Sequence, residues 1–162
     1  MTQNPSEPLR VPPHSIEAES SVLGGLLLDN DAFERVSDLL TPGDFYRYEH
    51  QRIYDAVCVL VNAGKPADVI TVFEHLRQQG QHESTGGLGY LNALAQYVPS
   101  AGNIRRYAEI VRERAILRKL VAISDEIATA ALNPQGKAVN QILDEAEGKI
   151  FKIGEEGSRS QQ

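Results

Sequence analysis

Between Asn103 and Leu132 the sequence contains neither proline nor glycine. A stretch of roughly 30 residues without a breaker predicts a single helix about 45 Å long, too long for an ordinary surface helix. Ile116, Leu120, Ile123, Ile127 and Ala130 step by 4, 3, 4 and 3 along it, which is heptad spacing. Leu117, Val121, Ser124, Ala128 and Ala131 form a second seam rotated by one residue. Asn133-Pro134-Gln135-Gly136 reads as a turn, and a second helix follows from Val139 to about Ile153. Its stripe is Val139, Leu143, Ala146, Ile150 and Ile153, with Ile142 and Phe151 off the stripe. The two helices make a hairpin. A hairpin needs only one seam per helix. The surplus apolar seam is covered either by the chain's own earlier residues or by another molecule, and the pattern leaves both open.

The earlier residues predict shorter helices. Pro5, Pro8, Pro12 and Pro13 mark residues 1–14 as a flexible, extended tail. Ser15 is a candidate N-cap, with Glu17 and Glu19 in the first turn and Val22, Leu23, Leu26 and Leu27 as the apolar stripe. Gly24-Gly25 inside that stripe weakens the helix and predicts a close helix contact. Asp29-Asn30-Asp31 breaks that helix, and Asp31 is a candidate cap for the next, with Phe33, Val36 and Leu40 on one face and Thr41-Pro42-Gly43 as its stop. Further helices are expected near 49–63 and 69–79, the second capped by Asp68 and closed by Gly80, and from Tyr90 to Val98 before Pro99. The last residues, 154–162, hold no apolar side chain and are expected to be flexible. The predicted architecture is therefore all-α, a compact multi-helix globule at 15–98 followed by a long helical hairpin at 99–153.

Composition narrows the function. The chain of 162 residues carries a net charge of −6, which is poor for general binding to duplex DNA. The charge is uneven: residues 1–100 sum to −7 and residues 101–162 to +1. One cysteine, Cys58, excludes an internal disulfide and a cysteine-based zinc site. No apolar run reaches the ~18 residues of a membrane span, and the first residues lack the pattern of a secretory signal. A soluble, cytoplasmic protein is expected. Gly86-Gly87-Leu88-Gly89 follows no predicted strand and completes no nucleotide-binding motif, and Gly136-Lys137 is followed by Ala138 rather than Ser or Thr. His14, His50, His75 and His82 are scattered without metal-ligand spacing. No catalytic, metal or cofactor-binding residues are assigned. Arg105, Arg106 and Arg112, at the basic start of the long helix, are the candidates for contact with single-stranded nucleic acid, the alternative being ion pairs within the helix.

The order of the motifs then becomes specific. Pro12-Pro13-His14-Ser15-Ile16-Glu17-Ala18-Glu19, Ser21-Val22-Leu23-Gly24-Gly25 and Leu28-Asp29-Asn30 resemble the opening of DnaB-type replicative DNA helicases. Asp44-Phe45-Tyr46, His50, Ile53-Tyr54, Asp68 to Val72, Gly86-Gly87, Tyr90-Leu91, Pro99-Ser100-Ala101 and Asn103 continue the pattern, and Tyr107 to Arg114 is its most distinctive block. The resemblance covers about residues 12–153. It implies the N-terminal collar domain of a hexameric helicase at the bacterial replication fork, paired with copies of itself and docking a DnaG-type primase. Family primase-contact positions fall on Val121, Ile127 and Ile142. The subunit interface is expected at Ile116, Leu117, Leu120, Ile123, Ala128 and Phe151. The resemblance also implies that ATP, Mg and contact with DNA through the ring belong to a RecA-like motor domain of the parent protein, so that this stretch alone has no ATPase activity.

Overall fold

The computed structural model describes residues 11–97 and 103–159. It contains six α-helices among them: α1 (Ile16–Leu28), α2 (Tyr48–Asn62), α3 (Val69–Gln78), α4 (Gly87–Gln96), α5 (Ile104–Leu132) and α6 (Val139–Arg159). The described residues contain no strand, and the all-α expectation holds.

Helix α1 is the axis of the globule. Ser15 is extended at φ −143° and its hydroxyl accepts from the Ala18 amide at 3.2 Å, which satisfies one of the free N–H groups at the helix start. Ala18, Val22, Leu23, Leu26 and Leu27 are buried, and so are Glu19, Ser21, Gly24 and Gly25. A helix covered on nearly all sides lies inside the fold rather than on its surface. It packs against α2, α4 and α5, while α3 lies against α2 and α4. The glycine expectation has a specific cause: a Cβ on Gly25 would stand 3.0 Å from Ile104 Cδ1, so glycine lets the start of α5 press onto α1.

The helix expected after Asp31 is instead a short 3-10 helix, Asn30–Arg35, and its cap is Asp29, whose carboxylate accepts from the Asp31 amide at 3.0 Å. The connections are held by side chains. Asn30 donates to the Leu26 and Ala67 carbonyls and accepts from the Ala67 amide at 2.8 Å, which pins the approach to α3. Asp68 and Thr71 form a reciprocal capping box at the start of α3. Gly80 closes α3 at φ +69°, with the Gln81 amide reaching back to the Leu76 carbonyl at 2.8 Å.

Helix α5 belongs to both parts of the molecule. Its first turns bury Ile104, Ala108, Val111 and Ala115, the first three of them in the globule's core. The expected boundary at residue 99 lies outside the described residues, but the globule does not end there in any packing sense, because α5 continues its core. The rest of α5 pairs with α6 across a turn that uses Gln135 at φ +51° and Gly136 at φ +84°. The pairing is antiparallel: Glu126 meets Lys149 at 3.1 Å, Lys119 meets Glu156, and Gly157 approaches Ile116.

Two expectations are corrected at the ends. Residues 154–159 continue α6 rather than forming a flexible end. Within the expected tail, His14 stacks on Tyr46 with ring centroids 4.3 Å apart, and the Pro13 carbonyl accepts from Arg118 at 2.7 Å. A proline has no amide to donate, but its carbonyl remains a good acceptor, and Arg118 uses it. Residues 1–10 and 160–162 lie outside the described part.

Candidate protein-docking surface

The base of the hairpin is built from a chain of polar contacts. The Glu19 carboxylate, 1% exposed, accepts from the Tyr46 amide at 2.8 Å and lies 2.7 Å from His50 Nδ1. His50 Nε2 lies 2.5 Å from the Tyr90 hydroxyl. These contacts tie α1, α2 and α4 together. Burial raises the Tyr90 pKa. Next to them, Arg112 meets the buried Asp44 at 2.9 Å and also donates to the Glu156 carbonyl. Arg118 donates to the Asp44 and Pro13 carbonyls, both at 2.7 Å, and its guanidinium lies over the Tyr46 ring. Burial lowers the Arg118 pKa, while Glu19 and Asp44 pull it the other way. Two part-buried arginines thus join the globule to the hairpin.

Beyond that base the apolar side chains divide. On α5, Ile116, Ile123, Ile127 and Ala130 are half-buried and form its inner stripe. On α6 the inner stripe is Ile142, Ala146, Lys149 and Ile153. This corrects the sequence reading: Ile142 is on the stripe, and Val139, Leu143 and Ile150 point outward, with Leu143 55% and Ile150 52% exposed. The spacing 139, 143, 146, 150, 153 and the spacing 142, 146, 149, 153 are both heptad-like, so periodicity alone cannot choose between them.

The exposed row on α5 is Leu117, Leu120 and Val121. At ~100° per residue it sits about a quarter turn from the inner stripe. The row Val139, Leu143 and Ile150 is displaced from its own inner stripe in the same rotational sense. The helices run antiparallel, so both rows come to the same side of the hairpin. The result is one face with six large apolar side chains. Soluble monomers rarely expose contiguous patches of this kind unless they bind something. At its lower edge a cavity of about 290 Å³ is lined by Pro13, Leu117, Leu120, Val121, Ser124 and Asp125.

The expected interface residues therefore separate into two groups. Leu117, Leu120, Ala128 and Phe151 are exposed, whereas Ile116 and Ile123 are half-buried on the inner stripe. Of the expected primase positions, Val121 is exposed, while Ile127 and Ile142 are half-buried along the hairpin's own seam. The candidate nucleic-acid residues are engaged within the chain. Arg105 pairs with Asp38 at 2.8 Å and donates to the Arg35 carbonyl, Arg106 pairs with Glu113 at 3.5 Å, and Arg112 holds Asp44. Sequence reasoning passed over Glu19, His50 and Asp44. No local signal sets Glu19 apart, because Glu17, Ser20 and Ser21 share its helix. Among the described residues no group of three or more His, Cys, Asp or Glu could hold a metal ion, and no helix is long and apolar enough to cross a membrane.

The geometry agrees with what known proteins show. A family model described as the DnaB-like helicase N terminal domain matches residues 11–113. The replicative DNA helicase DnaB of Pasteurella multocida (strain Pm70) is 44% identical over 163 aligned residues, covering 99% of this chain and 35% of that helicase. The N-terminal domain of DnaB helicase from Mycobacterium tuberculosis, known from a crystal structure, superposes with a TM-score of 0.83 at 41% identity, over 88% of this chain and 99% of that one. The N-terminal domain of DnaB helicase from Helicobacter pylori, described together with its interactions with primase, gives a TM-score of 0.61 over 72% of this chain and 91% of that one. At 24% identity that likeness shows a shared fold alone. The chain spans about a third of the length of the curated relatives it matches.

Proposed function

The chain belongs to the DnaB-like helicase N-terminal domain family, and from that premise we propose that it forms the collar of a hexameric replicative helicase, pairing hairpin with hairpin and docking a DnaG-type primase. The observation that carries this is the single apolar face made by Leu117, Leu120 and Val121 with Val139, Leu143 and Ile150. A second copy presents the same face, so a two-fold pairing through Leu117, Leu120, Leu143 and Ile150 is self-complementary and leaves Val121, at the outer margin of the face, to the primase. Ile127 and Ile142, half-buried along the hairpin's own seam, are the other primase-contact positions of this reading. ATP hydrolysis with Mg and unwinding of DNA are assigned to the remainder of a full-length parent in the cytoplasm. This stretch supplies spacing and recruitment, which couples unwinding to primer synthesis.

Sedimentation tests the pairing. Leu117→Asp combined with Leu143→Asp is expected to convert a dimer into a monomer while the helical circular dichroism signal is kept, because both side chains are exposed. A wild-type chain that stays monomeric at high concentration defeats the pairing. Calorimetric titration with the primase C-terminal domain tests the docking: Val121→Asp is expected to weaken binding at least tenfold, a loss of about 1.4 kcal/mol. Unchanged affinity removes Val121 from the site.

A further inference from the structure

The last turns of α6 are helical against their own sequence. Residues 154–157 read Gly-Glu-Glu-Gly, with Ser158 next. Glycine is the poorest helix former after proline, and Glu155 and Glu156 put negative charge near the negative end of the helix dipole. This segment does not build a helix alone. What holds it is contact with α5. The Lys119 ammonium meets the Glu156 carboxylate, the Arg112 guanidinium donates to the Glu156 carbonyl at 3.2 Å, and Gly157 lies against Ile116. Lys119 and Glu156 are each close to half exposed, so their attraction is modest and sensitive to salt. Glu156 also stands with Arg112 and Lys119 around a cavity of about 320 Å³ shared with residues 37–41.

We propose that residues 154–157 act as an electrostatic strap, docked across α5 at low ionic strength and released as a short non-helical segment when the Lys119–Glu156 pair is screened or broken. The device ties the end of α6 to the Arg112–Asp44 pair that joins hairpin to globule. The direction in which the chain leaves the domain is then coupled to that joint. The proposal does not depend on what binds the apolar face.

Amide hydrogen exchange of residues 155–157 in the 162-residue chain tests it, with residues 142–147 of the same helix as the internal reference. Lys119→Ala, or about 1 M salt, is expected to speed exchange at 155–157 about fivefold or more and to leave the reference unchanged. Lys119→Glu with Glu156→Lys is expected to restore protection. Gly154→Ala, where a Cβ meets nothing within 4 Å, is expected to slow exchange. Three results overturn the strap. In the first, exchange at 155–157 is unmoved by both salt and Lys119→Ala. In the second, the reference residues accelerate in step, which means the whole hairpin opens. In the third, the wild-type segment is unprotected at low salt.

Discussion

Helix α1 and the outer half of the hairpin are comparably rich in aliphatic residues, yet their surroundings are opposite. In α1 every aliphatic side chain from Ala18 to Leu27 is buried, together with a glutamate. In α5 beyond Ala115 no residue is fully buried, and among the described side chains of α6 only Ile153 is. The difference lies in how many neighbours the chain itself supplies. Three helices pack directly on α1, whereas each hairpin helix beyond the base has only the other. One helix can cover about one face of its partner, so the remaining apolar face stays at the surface. Identical chemistry is thus buried by the chain itself in one place and left exposed in the other.

The comparison breaks most sharply at His50. Replacing it with alanine leaves the buried Glu19 carboxylate without its side-chain partner and is expected to cost roughly 3–5 kcal/mol, measured by urea unfolding followed by circular dichroism. A cost below about 1 kcal/mol would mean that the Tyr46 and Arg47 amides satisfy Glu19 without His50. A polar substitution of equal size in the outer hairpin has no such effect.

Raising the pH separates the two regions more gently. Burial pushes the Cys58 thiol up to about 11 from an ordinary value of 9, and burial also raises the pKa values of Tyr54 and Tyr90. All three are in the globule. Each group is held protonated by folding while the unfolded chain ionises it, so the unfolded state loses protons first as pH rises. Stability contributed by Cys58 is complete below pH 9 and is lost as pH rises between about 9 and 11. The expected outcome is a globule whose unfolding midpoint falls across that window. Alkylation of Cys58 at pH 8 should likewise be slow until the protein is unfolded. A midpoint that is flat up to pH 11, or fast alkylation of the native chain, would contradict the burial described for Cys58.

The smallest effect is the most discriminating. Ile142 and Leu143 are adjacent, but one is half-buried and the other 55% exposed. Ile142→Ala is expected to destabilise the hairpin by roughly 1–2 kcal/mol, whereas Leu143→Ala should stay within about 0.5 kcal/mol and act on self-association instead. Equal stability losses for the two would place Leu143 on the inner stripe as well.

Much of this was legible before any coordinates. Ser15, Asp68 and Gly80 mark helix ends because capping and left-handed backbone are local properties, and the structure uses all three. The long helix was legible from the absence of breakers, and the glycine pair from the need for close approach. The stripe on α6 was misread because two overlapping heptads fit the same residues. Residues 154–159 were misread because their helicity comes from α5. The polar base was not legible at all: Glu19, Asp44, His50 and Arg118 are far apart in sequence, and nothing local announces that they meet.

The amino-acid order by itself determined where most of the helices run, that they form a globule and a hairpin, and that the hairpin carries more apolar surface than it can bury. Those follow from interactions spanning a few residues: capping, backbone freedom and helical period. Only the tertiary structure decided which seam faces inward, that α5 serves both parts, and which arginines lock them together. Those outcomes depend on contacts between residues tens of positions apart, whose energy is a property of the packed arrangement and of no single segment.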